Sequence, residues 1–184
     1  MEQALVFASI IVGVAVSDQV LSLNRLLRSE APVKWHWAIP LVALIVLLTN
    51  VRMWWAVASQ PAGQVSIGQF LPFLIEFILL ALLSAATLPD HVPDEGIDLK
   101  AYYDRSARYI WLLFAASLVW LQLYEFLRTL GSGGGFLDWL QSRSMDVVAF
   151  AILLFLAFVR RRWLDVLGIA FLMIGPIGWL SKTL

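Results

Sequence analysis

A single carboxylate, Glu76, lies in the middle of the apolar stretch QFLPFLIEFILLALLSA at residues 69–85. On insertion scales, an ionisable side chain at the centre of a bilayer costs about 2.5–3.5 kcal/mol, and such side chains usually find partners inside a helix bundle. No basic residue stands three or four positions from Glu76, so its own helix offers no ionic partner. Glu76 must therefore reach another helix, reach water or remain protonated, which makes it the first candidate for proton or ion chemistry.

Other polar side chains within apolar stretches predict a site around Glu76. The remaining candidates are Asp18, Asn50, Arg52, Gln69, Gln122, Glu125 and Asp146. Arg52 and Glu76 lie below the same edge of their predicted helices, Arg52 by about 9 Å, so the two side chains can meet if the helices face suitably. Gln69 shares the helix face of Glu76 and would continue a polar path to that edge. With Glu125 and Asp146, these residues would line a polar cavity that opens to the outside.

Local ion pairs are the alternative for several of these charges. The pairs that the spacing allows are Glu125–Arg128, Asp146–Arg143 and Asp18–Arg25. Arg52 could instead extend toward the headgroups between Trp54 and Trp55. For Glu76, the alternatives that stay open are a structural pair with Arg52, a role in carrying a proton or ion, a contact within an oligomer, and a protonated hydrogen bond.

Catalytic and metal-binding patterns are not found in this sequence. The chain has no cysteine and only two histidines, which excludes thiol chemistry and gives no support to a histidine-based metal site. The cluster DHVPDE at residues 90–95 fits no calcium-loop spacing and is expected to be a solvated acidic loop. The net charge of zero gives no reason to expect a nucleic-acid partner. We therefore predict no cofactor, no metal and no catalytic residue, with an enzyme as the least favoured class.

The composition predicts that these side chains are held by transmembrane helices. The chain is 61% hydrophobic and 14% charged, against about 45–50% and about 25% in soluble domains. Windows of about 20 apolar residues can cross a bilayer. Six such spans are predicted, at residues 3–23, 35–58, 67–88, 108–130, 136–159 and 163–180. The expected fold is an all-α bundle of six transmembrane helices that forms one domain over residues 1–184.

The fifth predicted span can follow either of two courses. Its apolar run, VVAFAILLFLAFV at residues 147–159, has only 13 residues, which is short for a crossing of about 30 Å. The preceding residues, FLDWLQSRSMD, must either complete the span or lie along the membrane interface.

Basic residues between the predicted spans indicate the orientation of the chain. One side of the membrane would hold nine of them: Arg25, Arg28, Lys34, Lys100, Arg105, Arg108, Arg160, Arg161 and Arg162. The other side would hold three: Arg128, Arg143 and Lys182. Because cytoplasmic loops carry an excess of Lys and Arg, this asymmetry predicts a cytoplasmic loop at residues 89–107 and places both termini on the non-cytoplasmic side.

Small residues suggest where helices pack closely. Ser9, Gly13 and Ser17 recur at every fourth position of the first predicted span, a pattern that suits close helix approach. Packing within one chain is favoured over a dimer interface. In the last span, Gly175 and Pro176 interrupt the helix and either kink it or free backbone carbonyls for a cavity.

Two segments resemble a family of small, uncharacterised bacterial multi-pass membrane proteins. The first is LLSAATLPDHVPDEGIDLKAYYDRSARYIWLLF, in which a span ending in Leu-Pro-Asp leads through an acidic Pro-Asp-Glu-Gly stretch to Asp-Leu-x-x-Tyr-Tyr and the next span. The second is VKWHWAIPLVALIVLLTNVRMWW, which is similar to their second span. The resemblance covers about a third of the chain. It implies the inner membrane of a bacterium and assigns no activity and no functional residue.

Two functions are therefore expected from the sequence. In the first, the chain is a small transporter or channel that uses Glu76 in an outward-facing polar cavity. In the second, it is a non-catalytic structural or accessory subunit of a larger membrane complex, and Glu76 ties helices together. The expected partners are the lipid bilayer and either further copies of the chain or other membrane subunits.

Overall fold

The computed structural model describes residues 2–59, 67–159 and 162–180. These residues form seven helices: α1 (Glu2–Leu27), α2 (Ala38–Ala58), α3 (Ile67–Thr87), α4 (Leu99–Gly131), α5 (Phe136–Ser142), α6 (Ser144–Phe158) and α7 (Arg162–Leu180). The predicted helical class is confirmed. The loop at residues 60–66, Arg160, Arg161 and Lys182, which entered the prediction of orientation, lie outside the described residues.

Five of the described helices, α1, α2, α3, α4 and α7, are long and apolar enough to cross a membrane. Many large apolar side chains lie on the outside of the bundle, including Phe7, Leu71 and Phe155, as expected for a surface that faces lipid. The predicted fifth span at residues 136–159 is not one helix. It is divided at Arg143 into the short helix α5 and the 15-residue apolar helix α6.

Helix α4 begins nine residues before the predicted start of the fourth span at residue 108. The reason is an N-terminal cap: Asp98 Oδ1 accepts hydrogen bonds from the backbone N–H groups of Lys100 and Ala101 at 2.9 and 3.1 Å. Such a cap satisfies N–H groups that have no partner in the first turn of a helix. The predicted loop at residues 89–107 therefore extends only to Asp98, and its second half is helical.

The structure also contains a two-residue β-pairing that the all-α prediction did not include. β1 (Val33–Lys34) pairs in parallel with β2 (Ile97–Asp98), and so joins the α1–α2 connection to the α3–α4 connection. Gly96, just before β2, has a φ of +91°, and a Cβ atom built on it would lie 2.3 Å from the carbonyl oxygen of Pro32. Only glycine fits this backbone conformation and this close approach.

Hydrogen bonds between helices show that α1 and α2 are antiparallel. Trp54 Nε1 donates to Ser9 Oγ at 2.9 Å, and Gln19 Nε2 donates to the backbone oxygen of Ala43 at 2.7 Å. The residue number falls on α2 as it rises on α1. Within the bundle, α1 lies mainly against α3, and α4 lies against α3 and α6.

The face of α1 that packs into the bundle is not the predicted small-residue stripe. The buried residues of α1 follow alternate steps of four and three: Ala8, Val12, Ala15, Gln19, Ser22 and Leu26. Ser9 contacts α2 through Trp54, but Gly13 and Ser17 are exposed. A Cβ built on Gly13 would meet nothing within 4 Å. Close packing of α1 therefore uses the adjacent small residues Ala8, Ala15 and Ser22.

Candidate functional site

Helices α3 and α4 are joined at Glu76 by two polar contacts that lie about one turn apart. Trp120 Nε1 donates to the backbone oxygen of Pro72 at 2.8 Å. One turn further along α3, Ser117 Oγ donates to Glu76 Oε1. The numbers rise on α3 and fall on α4, so the two helices are antiparallel. This register brings the central hydroxyl of α4 to the carboxylate of α3.

The Glu76 carboxylate is buried and only partly hydrogen-bonded. The residue is 1% exposed, and Ser117 is 6% exposed. In the part of the chain that the structure describes, Glu76 Oε2 has no hydrogen-bond partner. A carboxylate has about four lone-pair sites, and buried polar atoms are usually hydrogen-bonded. The second oxygen is therefore available to a proton or to a donor from a ligand.

Glu76 lines a cavity of about 300 Å³ among helices α2, α3, α4, α6 and α7. Its polar lining comes from Thr49, Arg52, Glu76, Ser117 and Asp146. The other walls are apolar, with the side chains of Phe114, Leu118, Leu153 and Phe171 among them. A volume near 300 Å³ is at the lower end of the range for ligand pockets, which is about 300–1,000 Å³.

The cavity lies toward the end of the bundle at which α2 ends and α3 begins. Arg52 is six residues before the last residue of α2, and Asp146 is in the first turn of α6. Phe114, which lines the cavity, stacks on the fully buried ring of Trp111 with ring centres 5.8 Å apart.

Arg52 and Glu76, the predicted cross-helix pair, both line this cavity but are not ion-paired with each other. The ion pairs found among residues 2–59, 67–159 and 162–180 do not include Arg52. The guanidinium group instead lies beside α7, where its Nη1 atom would be 3.6 Å from a Cβ built on Gly175. The Arg52 side chain thus reaches the α7 backbone at the wall of the cavity, at a distance where a Cβ atom would make an ordinary van der Waals contact.

Asp146 and Glu125 belong to a charge cluster that joins α4 to α6. Arg128 and Arg143 contact Glu125 at 3.4 and 3.3 Å, and Arg143 also contacts Asp146 at 3.6 Å. Gln122 Nε2 donates to Asp146 Oδ2 at 2.7 Å. The local pairs that the spacing allowed, Glu125–Arg128 and Asp146–Arg143, are present, and Arg143 adds the link across helices. Asp146 reaches the cavity with its charge already compensated.

Asn50 takes part in a separate buried network and not in the cavity. Its Nδ2 atom donates to Ser84 Oγ at 3.0 Å, and Gln19 Nε2 donates to Thr87 Oγ1 at 3.3 Å. Thr87 in turn donates to the backbone oxygen of Ser84 at 2.8 Å. These contacts connect α1, α2 and α3. A role in helix packing follows for Asn50.

Two further predicted residues lie away from the cavity. Gln69 is exposed on α3 and is not part of the cavity lining. Asp18 is half-buried on α1, and the guanidinium of Arg25, its expected partner, donates to the backbone oxygen of Asp90 at 2.9 Å. The structure therefore brings together Glu76, Arg52 and Asp146 from the predicted set, with Gln122 and Glu125 linked through Asp146.

Reasoning from the sequence missed Ser117, the hydrogen-bond donor to Glu76. A signal was present, because Ser117 is a lone hydroxyl within the apolar run LLFAASLVWL of residues 112–121. Ser84 and Thr87 were missed in the same way, at the end of α3. Single hydroxyls are common in transmembrane helices, so position along the chain does not distinguish a partner of Glu76 from a bond to the helix backbone.

Comparisons with known proteins found no match to this chain among family models, curated proteins or solved structures. Within the described residues, no group of three His, Cys, Asp or Glu side chains is arranged to hold a metal ion. The chemistry of the site therefore depends on Glu76, Ser117, Arg52 and the cavity that they line.

Proposed function

We propose that the chain is a small membrane transporter or channel in which Glu76 binds a proton or a substrate within an outward-facing cavity. The observation that carries this proposal is the buried carboxylate whose second oxygen has no partner among the described residues and which lines a cavity. A charge kept only for structure would be expected to have its hydrogen bonds satisfied, because an unsatisfied buried polar atom costs free energy.

Helix α7 runs without a break from Arg162 to Leu180, so Gly175 and Pro176 do not interrupt it as the sequence predicted, but Pro176 still supports transport. Proline has no backbone N–H, so Pro176 cannot donate to the carbonyl of Leu172 four residues earlier. Gly175, Pro176 and Leu172 all line the cavity. The carbonyl that Pro176 leaves without its helix donor is an acceptor for a substrate at the cavity wall, which is the role that backbone groups of broken helices play in secondary transporters.

We further propose that α6 crosses the membrane, which gives six spans and places both termini on the non-cytoplasmic side. Its 15 residues extend about 22 Å, against about 30 Å of hydrocarbon, and short spans are accommodated by local thinning of the bilayer. The excess of basic residues on one side supports this orientation. The family resemblance supports the bacterial inner membrane. Reporter fusions at both termini test it, and a cytoplasmic signal from either terminus would contradict it.

Flux through reconstituted protein tests the role of Glu76. Proteoliposomes that contain the wild type or Glu76→Gln would be compared for proton flux, measured with an internal pH dye under an imposed potential. We expect Glu76→Gln to abolish the flux and Glu30→Gln to preserve it, because Glu30 is exposed in the connection after α1, outside the cavity. Equal flux in all three proteins would remove Glu76 from the mechanism.

An accessory subunit of a larger membrane complex is the second candidate. The exposed Gly13 and Ser17 on α1 favour it, because small residues allow another transmembrane helix to approach closely. In this role Glu76 would hold α3 and α4 together through its hydrogen bond with Ser117. Native purification that yields the chain bound to other membrane subunits, together with no flux, would favour this function; a lone chain with flux dependent on Glu76 would exclude it.

A further inference from the structure

The cavity is lined by one basic and one acidic side chain, Arg52 and Glu76, that are not ion-paired with each other in the described structure. Glu76 receives one hydrogen bond from Ser117, and its other oxygen has no partner among the described residues. Arg52 lies at the α7 wall beside Gly175 and takes part in none of the ion pairs found there. The remaining charge, Asp146, is compensated by Arg143 and by a hydrogen bond from Gln122.

The Arg52 and Glu76 side chains are attached to different helices, so a ligand can lie between them. Glu76 projects from α3 and is held by α4, whereas Arg52 projects from α2 toward α7. The walls between them are apolar, with Phe114, Leu118 and Leu153 in the lining. In such surroundings, a charge without a partner is costly, and a ligand that pairs with both charges removes both costs.

We infer that the cavity binds a small zwitterion with an apolar body, such as a branched aliphatic amino acid. Its ammonium group would bind Glu76 and its carboxylate would bind Arg52, while its hydrocarbon part contacts the apolar walls. A simple amine would leave Arg52 unpaired, and a simple acid would leave Glu76 unpaired. This inference names the substrate class of the proposed transporter and in that sense rests on the proposed function.

The volume of the cavity restricts the size of the ligand. About 300 Å³ is at the lower limit of the range for ligand pockets, so the apolar body must be small. Guanidinium groups recognise carboxylates through paired parallel hydrogen bonds, which favours a carboxylate over other acceptors at the Arg52 wall.

Three probes of matched shape test the inference with the purified full-length protein. They are leucine, isoamylamine (leucine without its carboxylate) and isocaproate (leucine without its ammonium group). Displacement of radiolabelled leucine in detergent would give the affinity of each probe. We expect the wild type to bind leucine at least about tenfold more tightly than either analogue, because each analogue leaves a charged group of the protein without its partner.

Two variants test which end of the ligand binds Arg52 and which end binds Glu76. In Arg52→Met, the preference for leucine over isoamylamine should disappear. In Glu76→Gln, the preference for leucine over isocaproate should disappear. Arg105→Met is the matched control for Arg52→Met, because Arg105 is exposed, lies outside the cavity lining and donates to the backbone of its own helix. This variant should bind all three probes as the wild type does. Thermal melting of each variant shows whether it folds, and the probe series on the wild type does not depend on any variant.

The outcomes separate this inference from the proposed function. If isoamylamine or isocaproate binds as tightly as leucine, or if no probe binds while flux still depends on Glu76, the zwitterion is wrong and transport through Glu76 stands. If leucine binds with the expected preferences but Glu76→Gln leaves proton flux unchanged, the ligand class is supported and the flux mechanism is wrong. If no probe binds and no flux is measured, both are wrong.

Discussion

Substitution of Ser117 by alanine tests the hydrogen bond on which the candidate site depends. Ser117 is the one hydrogen-bond donor to Glu76 found among the described residues. Because the two residues are 6% and 1% exposed, the hydrogen bond between them is shielded from bulk water. Ser117→Ala therefore leaves both oxygens of a buried carboxylate without a donor from the described chain.

The expected cost follows from two ranges of measured hydrogen-bond energies. Hydrogen bonds between transmembrane helices contribute about 0.6 kcal/mol on average and about 1.7 kcal/mol at most. Hydrogen bonds to charged groups contribute about 1.5–3 kcal/mol. The Ser117–Glu76 bond belongs to both classes, so we expect the overlap of the ranges: Ser117→Ala should lower the free energy of unfolding by about 1.5 kcal/mol, or roughly tenfold in the equilibrium constant.

Equilibrium unfolding in mixed micelles, followed by circular dichroism, measures this difference. The matched control is Ser106→Ala on the same helix, because Ser106 Oγ donates to the backbone of Tyr102 at 2.9 Å within α4 and not to another helix. We expect this control to cost less than about 0.5 kcal/mol. The same two substitutions are then repeated in a Glu76→Leu background, where Ser117→Ala should cost little because its acceptor is gone.

Either of two results would refute this reasoning. If Ser117→Ala costs no more than Ser106→Ala, the hydroxyl does not stabilise the buried carboxylate. If Ser117→Ala costs the same with and without Glu76→Leu, its effect comes from packing and not from the hydrogen bond.

Other predictions concern the parts of the fold that hold the site in place. Backbone hydrogen bonds, chiefly from the N–H at position 101, lower the pKa of Asp98. The contribution of Asp98 to stability is therefore present above its unfolded pKa, near 4, and is lost as the pH falls through its folded pKa. Thermal melts of Asp98→Asn should accordingly depend less on pH below about 4 than those of the wild type. A Cβ built on Gly168 lies 2.2 Å from Leu156 Cδ1, and Leu156 is buried. Gly168→Ala should therefore lower the free energy of unfolding in micelles by about 1–3 kcal/mol, and by much less in a Leu156→Ala background. Equal losses in both backgrounds would contradict the clash. Asn50→Leu should lower the free energy of unfolding by about 1–2 kcal/mol because it breaks the contact with Ser84; Ser84→Ala should then add little, and full additivity would exclude the coupling.

The position of Glu76 along its helix and the local ion pairs near the candidate site could be predicted from the sequence. The apolar run around Glu76 places it far from both ends of its helix, and the spacing of charges predicts the Glu125–Arg128 and Asp146–Arg143 pairs that the structure contains. Both inferences need only the rise and periodicity of one α-helix.

The face that each helix presents to its neighbours could not be predicted in the same way. On α1 the sequence favoured Ser9, Gly13 and Ser17 for packing, whereas the buried stripe begins at Ala8 and continues through Ala15. A change of one residue turns the side chain by about 100° around the helix. In a membrane, the face toward lipid is as apolar as the face toward the bundle, so hydrophobic periodicity carries little information about which side is buried.

The length and composition of the sequence by themselves determined that this is a helical protein with several apolar helices of membrane-crossing length. That conclusion depends on counting apolar residues against the thickness of a bilayer, which requires no knowledge of contacts. Tertiary structure alone decided that Ser117 is the partner of Glu76, that Arg52 lies against α7, and that Asn50 joins a different network. Five helices contribute to the cavity, and only their packing angles and register bring residues so distant in the chain around one carboxylate.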